Sequence, residues 1–89
     1  MRTITNETTI EKQLSNGHII AYTLFKERFP DHTIRYGIRI SDQSSGEADT
    51  VHDLTTCSDS AAQLFSKLIL GDALPIHLHD IAEDYVSFF

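Results

Sequence analysis

Between Thr33 and Ile40 apolar and polar residues alternate with a period of two, with Ile34, Tyr36, Ile38 and Ile40 on one side and Arg35, Gly37 and Arg39 on the other. That pattern predicts a strand packed on one face only. Upstream, Ile10–Leu14 and His18–Arg28 flank Ser15-Asn16-Gly17, and Asn-Gly predicts a hairpin with a type I′ turn because it accepts positive φ. In the second arm Ile20, Tyr22 and Leu24 share one face while Ile19, Ala21, Thr23 and Phe25 share the other; both are partly apolar, so this strand is expected in the sheet interior. Phe29-Pro30-Asp31-His32 reads as a turn and Asp42–Glu47 as a loop. Asp49–Thr55, with Val51 and Leu54, then gives a short, charged, edge-like strand. Consecutive strands joined by short turns predict an antiparallel meander.

After Thr55 the period changes from two to that of a helix. Ala61, Leu64, Phe65 and Leu68 form one stripe at i, i+3, i+4 and i+7. Ser58 is the expected N-cap, Asp59 suits the first turn, Ser60 with Gln63 offers an alternative capping box, and Gly71 is expected to close the helix as its C′ residue. Pro75 suits the first position of a second helix. Its apolar face is Leu78, Ile81, Ala82, Tyr85 and Phe89, and its polar face is His77, Asp80, Glu83, Asp84 and Ser87. The expected fold class is therefore α+β: an antiparallel meander of about four strands followed by two C-terminal helices packed on one sheet face.

Eighty-nine residues at 40% hydrophobic content make one domain, spanning 1–89, with a modest core. So small a core favours help from a partner subunit. A single cysteine, Cys57, excludes an internal disulfide and points to a reducing, cytoplasmic setting. Met1–Glu7 carries no apolar run of the secretory type, and no stretch reaches the roughly 20 apolar residues of a membrane span. Charge is uneven: residues 1–40 hold six basic residues against four acids, and residues 41–89 hold Lys67 against nine acids. An acidic chain without a lysine and arginine cluster disfavours nucleic acid as a partner.

Tyr36-Gly37-Ile38-Arg39-Ile40, Val51-His52-Asp53-Leu54-Thr55 and the run Pro75-Ile76-His77-Leu78-His79-Asp80-Ile81-Ala82-Glu83-Asp84-Tyr85 resemble a family of short bacterial proteins of about this length, carried as a domain of unknown function. The resemblance covers most of the chain from Ile20 onward. It implies no activity, cofactor or site residue.

The chemistry-bearing residues make no catalytic motif. His77, Asp80 and Asp84 lie at i, i+3 and i+7, with His79 and Glu83 as a second pair, and imidazole with carboxylate is a ligand set for zinc or iron. The spacing is permissive rather than specific, because helical metal motifs set two histidines four apart whereas His77 and His79 project to different sides. A solvated acidic helix face accounts for the same residues. Cys57 precedes a helix start, with His52 five residues before it, but an orienting group and an oxyanion site are lacking. A small buried filler is the plainer role for that cysteine. Gly37 is expected to admit packing of the second helix over the sheet.

What remains is contact surface. Arg35 and Arg39, with Lys26 or Arg28, are expected on the solvent face of the sheet, where they would meet an acidic partner or simply keep the face wet. Tyr85, Phe88 and Phe89 give the chain end an aromatic character that invites a protein partner or a second copy of the chain. The sequence thus supports a non-enzymatic, cofactor-free interaction or regulatory module, with a homodimer as one expected form. The alternative is a metal-dependent binding protein or hydrolase using His77, Asp80 and Asp84.

Overall fold

The computed structural model describes the backbone of residues 3–86 and the side chains of residues 3–84. Four strands, β1 (Thr3–Gln13), β2 (Ile19–Arg28), β3 (Ile34–Asp42) and β4 (Ala48–Thr55), form one antiparallel sheet in the order β1-β2-β3-β4. They are followed by helix α1 (Ser58–Leu70), a 3₁₀ turn (Pro75–His77) and helix α2 (Leu78–Val86). This is the α+β meander that the hydrophobic periods predict. The first strand is longer than expected, because Thr3–Thr9 lacks apolar alternation and owes its conformation to pairing with β2.

The pairings Tyr22↔Ile40 and Leu24↔Ile38 align the apolar sets of β2 and β3 on one face. There Ile20, Tyr22, Ile38 and Ile40 meet Leu64, Phe65 and Leu68 of α1, Ala73, and Leu78 and Ala82 of α2. Helix α1 rests on β2, β3 and β4, and α2 rests on β4. Ile34 and Tyr36, expected inward with Ile38 and Ile40, are only half-buried. Tyr22, fully buried, donates its hydroxyl to the carbonyl of Ala73 at 2.8 Å and so ties the sheet to the inter-helix loop. Burial, followed by the charge of Asp72, raises the pKa of that phenol.

Three local expectations change. The first hairpin is not type I′: of its turn residues only Gly17 has positive φ, at 88°, and the bonds Leu14 N to His18 O and Gly17 N to Leu14 O define a three-residue loop with a left-handed third position. The next hairpin repeats this geometry with His32 at φ 69°. Cys57, rather than Ser58, is the N-cap residue of α1. At the other end Gly71 sits at φ −89°, and the left-handed position belongs to Asp72 at φ 53°. Asp72 N bonds to Ile69 O and Ala73 N to Leu68 O, a Schellman closure one residue later than the glycine predicts. Continuing the helix through Gly71 lets Ala73 and Leu68 both enter the core.

Candidate functional site

The face of the sheet away from the helices is built around an absence of side chain. Phe25 and Gly37 are directly opposite on β2 and β3, and a Cβ on Gly37 would stand 2.4 Å from Phe25 Cζ. The ring of Phe25 therefore lies across β3. It meets His52 of β4 edge-on, with centroids 5.4 Å apart. The expected packing of a helix over Gly37 is thus replaced by packing of Phe25 on the opposite face, since both helices lie on the other side.

A bulge in β4 brings further groups to the same face. Register shifts between the pairs Tyr36↔Thr55 and Ile38↔Val51, and Asp53 takes φ 56°. Successive side chains, instead of alternating, both reach this face: His52 Nδ1 lies 2.9 Å from Glu27 Oε1, and Asp53 Oδ1 accepts a bond from Arg35 Nη1 at 2.6 Å. Glu27 is buried to 2% exposure although it carries a carboxylate, so its imidazole partner offsets part of a desolvation cost that an unpaired acid would bear alone. Arg35 also stacks on Phe29 at 5.0 Å, and Asp53 raises its pKa through a hydrogen bond and charge. Its Nε is enclosed without a hydrogen-bond partner. Arg35 is therefore engaged within the fold, while Arg39, on the same face of β3, is half-buried. Lys26 and Arg28, weighed with them from sequence, pair with Tyr36 and Ile34 and so belong to the helix-side face.

The remaining sequence candidates are dispersed. His77 ends the 3₁₀ turn, and Asp80 and Asp84 are exposed on α2. His79 reaches away from them to Asp49 at 3.0 Å. Among the described residues no three His, Cys, Asp or Glu side chains form a metal-ligand cluster. Tyr85 lies in α2 but its side chain is outside the described set, and Phe88 and Phe89 lie outside the described residues altogether. Cys57 is exposed, not a buried filler. The hydroxyl and amide of Ser60 hold its thiol below the usual range, while His52 is turned to Glu27.

A second histidine and acid pair joins the β1–β2 turn to the β3–β4 turn. Asp42, buried among polar groups, is 2.8 Å from His18 Nδ1 and accepts from the amides of Ser44 and Ser45. Ser44 Oγ accepts from the amide of Ile19 and the arrangement closes the turn.

The feature that sequence reading passed over is the outer edge of β1. Leu14 N bonds to His18 O, so strict antiparallel alternation gives Lys12, Ile10 and Thr8 the bonds to β2 and turns the N–H and C=O of Gln13, Glu11, Thr9 and Glu7 outward. Ile19, opposite Gln13, agrees: its carbonyl accepts from Gln43 on the far side. Every residue of β1 but Lys12 is exposed, including Ile4 and Ile10. Lys12 points to the helix face, where it bonds to Ile69 O at 2.7 Å and pairs with Asp72. Thr9 meets Thr23 on the other face at 3.0 Å, which places Glu7 and Glu11 there too. The signal for this edge in the sequence was weak because Thr-rich polar strands lack an apolar stripe.

No helix among the described residues is long and apolar enough to cross a membrane. No curated protein and no solved structure matches the chain. A family model does: it is described as a family of unknown function, DUF6514, and it matches residues 1–87. With nearly the whole chain matched, the protein belongs to the family of unknown function DUF6514.

Proposed function

We propose that this domain is a non-catalytic, cytoplasmic protein-interaction module whose principal contact is the outer edge of β1, which no other strand among the described residues pairs. The observation that carries this reading is the length of that edge: eleven residues, ten of them exposed, with the outward N–H and C=O groups of Glu7, Thr9, Glu11 and Gln13 available to a further strand. The opposite sheet face is less suited to be the main contact, because Arg35 is already held by Asp53 and Phe29. The C-terminal helix, with Tyr85, Phe88 and Phe89, is an additional contact in this reading, either for the same partner or for a second copy of the chain. A metal-dependent activity through His77, Asp80 and Asp84 rests on spacing alone.

The test uses proline at Thr9. Its outward N–H makes no bond to β2, so Thr9→Pro removes an edge donor while leaving the internal ladder intact. Cross-linked pull-downs from the native host, with wild-type and Thr9→Pro baits, should differ by a protein captured only by the wild type. Equal capture by a folded Thr9→Pro bait overturns the edge reading.

A further inference from the structure

We infer that the β1 edge takes an extended segment of a basic protein partner, paired antiparallel, with lysine or arginine at two positions four residues apart opposite Glu7 and Glu11. This rests on the edge reading above and adds the chemistry of the occupant.

Charge carries the inference. Of the charged residues on the edge between Glu7 and Gln13, Lys12 is committed to Asp72 and the end of α1. Glu7 and Glu11 remain, both exposed, both on the face away from the helices, and both at positions whose backbone groups point outward. A strand added here would set its side chains directly opposite theirs, about 5.5 Å away between Cα atoms. Opposite charges in that relation stabilise and like charges destabilise. A second copy of this chain is a poor occupant for the same reason: every two-fold register that pairs two or more of the outward residues Glu7, Thr9, Glu11 and Gln13 with one another sets Glu7 or Glu11 opposite or diagonal to an acid of the other copy. The net charge of −6 adds to that repulsion and attracts a basic chain. On the helix side the edge offers Thr8 and the exposed Ile10, which favour β-branched residues between the two basic ones. The fitting sequence is thus Lys-Val-Thr-Val-Lys, its lysines opposite Glu11 and Glu7.

The probe is a capped synthetic peptide of that sequence flanked by threonines, titrated into ¹⁵N-labelled full-length protein and compared with a peptide carrying glutamine for both lysines. The amide signals of Glu7, Thr9 and Glu11 should shift, with the lysine peptide binding roughly tenfold more tightly, the size expected of two cross-strand ion pairs. Glu7→Gln with Glu11→Gln should erase that preference, and Thr9→Pro, or Glu11→Pro if the former does not fold, should abolish binding of both peptides. Equal binding of the two peptides overturns the basic partner and leaves the edge reading standing. Failure of both to shift the β1 amides overturns the edge reading itself. Light scattering that finds a dimer converted to monomer by Thr9→Pro assigns the edge to a second copy and overturns the inference.

Discussion

The ring of Phe25 occupies the space that a side chain at residue 37 would need. A Cβ there would also stand 2.6 Å from the carbonyl of Val51, so the site is closed by backbone as well as by a ring. Because Phe25 reaches His52 only over this glycine, Gly37 couples β2 to β4 across β3. Gly37→Ala should cost about 1–3 kcal/mol, the range for overpacking a closed site. Urea melts check it. Phe25→Leu in the same chain should recover part of the loss, whereas additive losses would mean that the ring is not the obstacle.

Tyr22→Phe removes one buried hydroxyl and leaves the carbonyl of Ala73 without its donor. The expected loss is about 1–2 kcal/mol, read from denaturant midpoints. A change of a few tenths would mean that water reaches Ala73 and that the loop between the helices is not sealed against the sheet.

Asp42 gives the acid limb of stability a defined contribution. The His18 hydrogen bond, with the amides of Ser44 and Ser45, holds its carboxyl below the ordinary 3.8 despite a counteracting burial effect. Since the folded value is the lower one, the stabilisation is complete above the unfolded value and is lost as pH falls through the folded one. Thermal melts between about pH 5 and pH 2 should therefore fall less steeply in Asp42→Asn than in the wild type. Parallel acid limbs would remove Asp42 as a contributor.

Cys57 should react as a partly activated thiol. Ser60 lowers its pKa and the sulfur is exposed, so alkylation by iodoacetamide at neutral pH should be faster in the native protein than in urea, and slower in Ser60→Ala than in the wild type. Native protection of the thiol would contradict its exposure.

The residue pattern determined most of the architecture because β2, β3, α1 and α2 each carry their own period. Ile34 to Ile40 can bury one face only as a strand, and Ala61, Leu64, Phe65 and Leu68 only as a helix. Short turns then leave a meander as the simple connection, and the structure has it. Local signals were less faithful at the ends. Gly71 advertised the helix stop, yet Asp72 holds the left-handed position because burying Ala73 beside Leu68 requires one more residue of helix.

The candidate surfaces were decided by tertiary structure, since they depend on contacts between residues far apart in the chain. Arg35 reads from sequence as a free solvent-face cation; in the fold the bulge at Asp53 brings a carboxylate within hydrogen-bonding distance of it. Glu27 and His52 are twenty-five residues apart, and they pair only because the sheet sets β2 and β4 on either side of β3. Edge availability is likewise a property of strand order: the polar run Thr3–Gln13 becomes an open hydrogen-bonding edge because β2 covers one side of it and, among the described residues, no strand pairs with the other. Periodicity is local and can be read along the chain, whereas charge pairing and edge exposure arise only when distant segments meet.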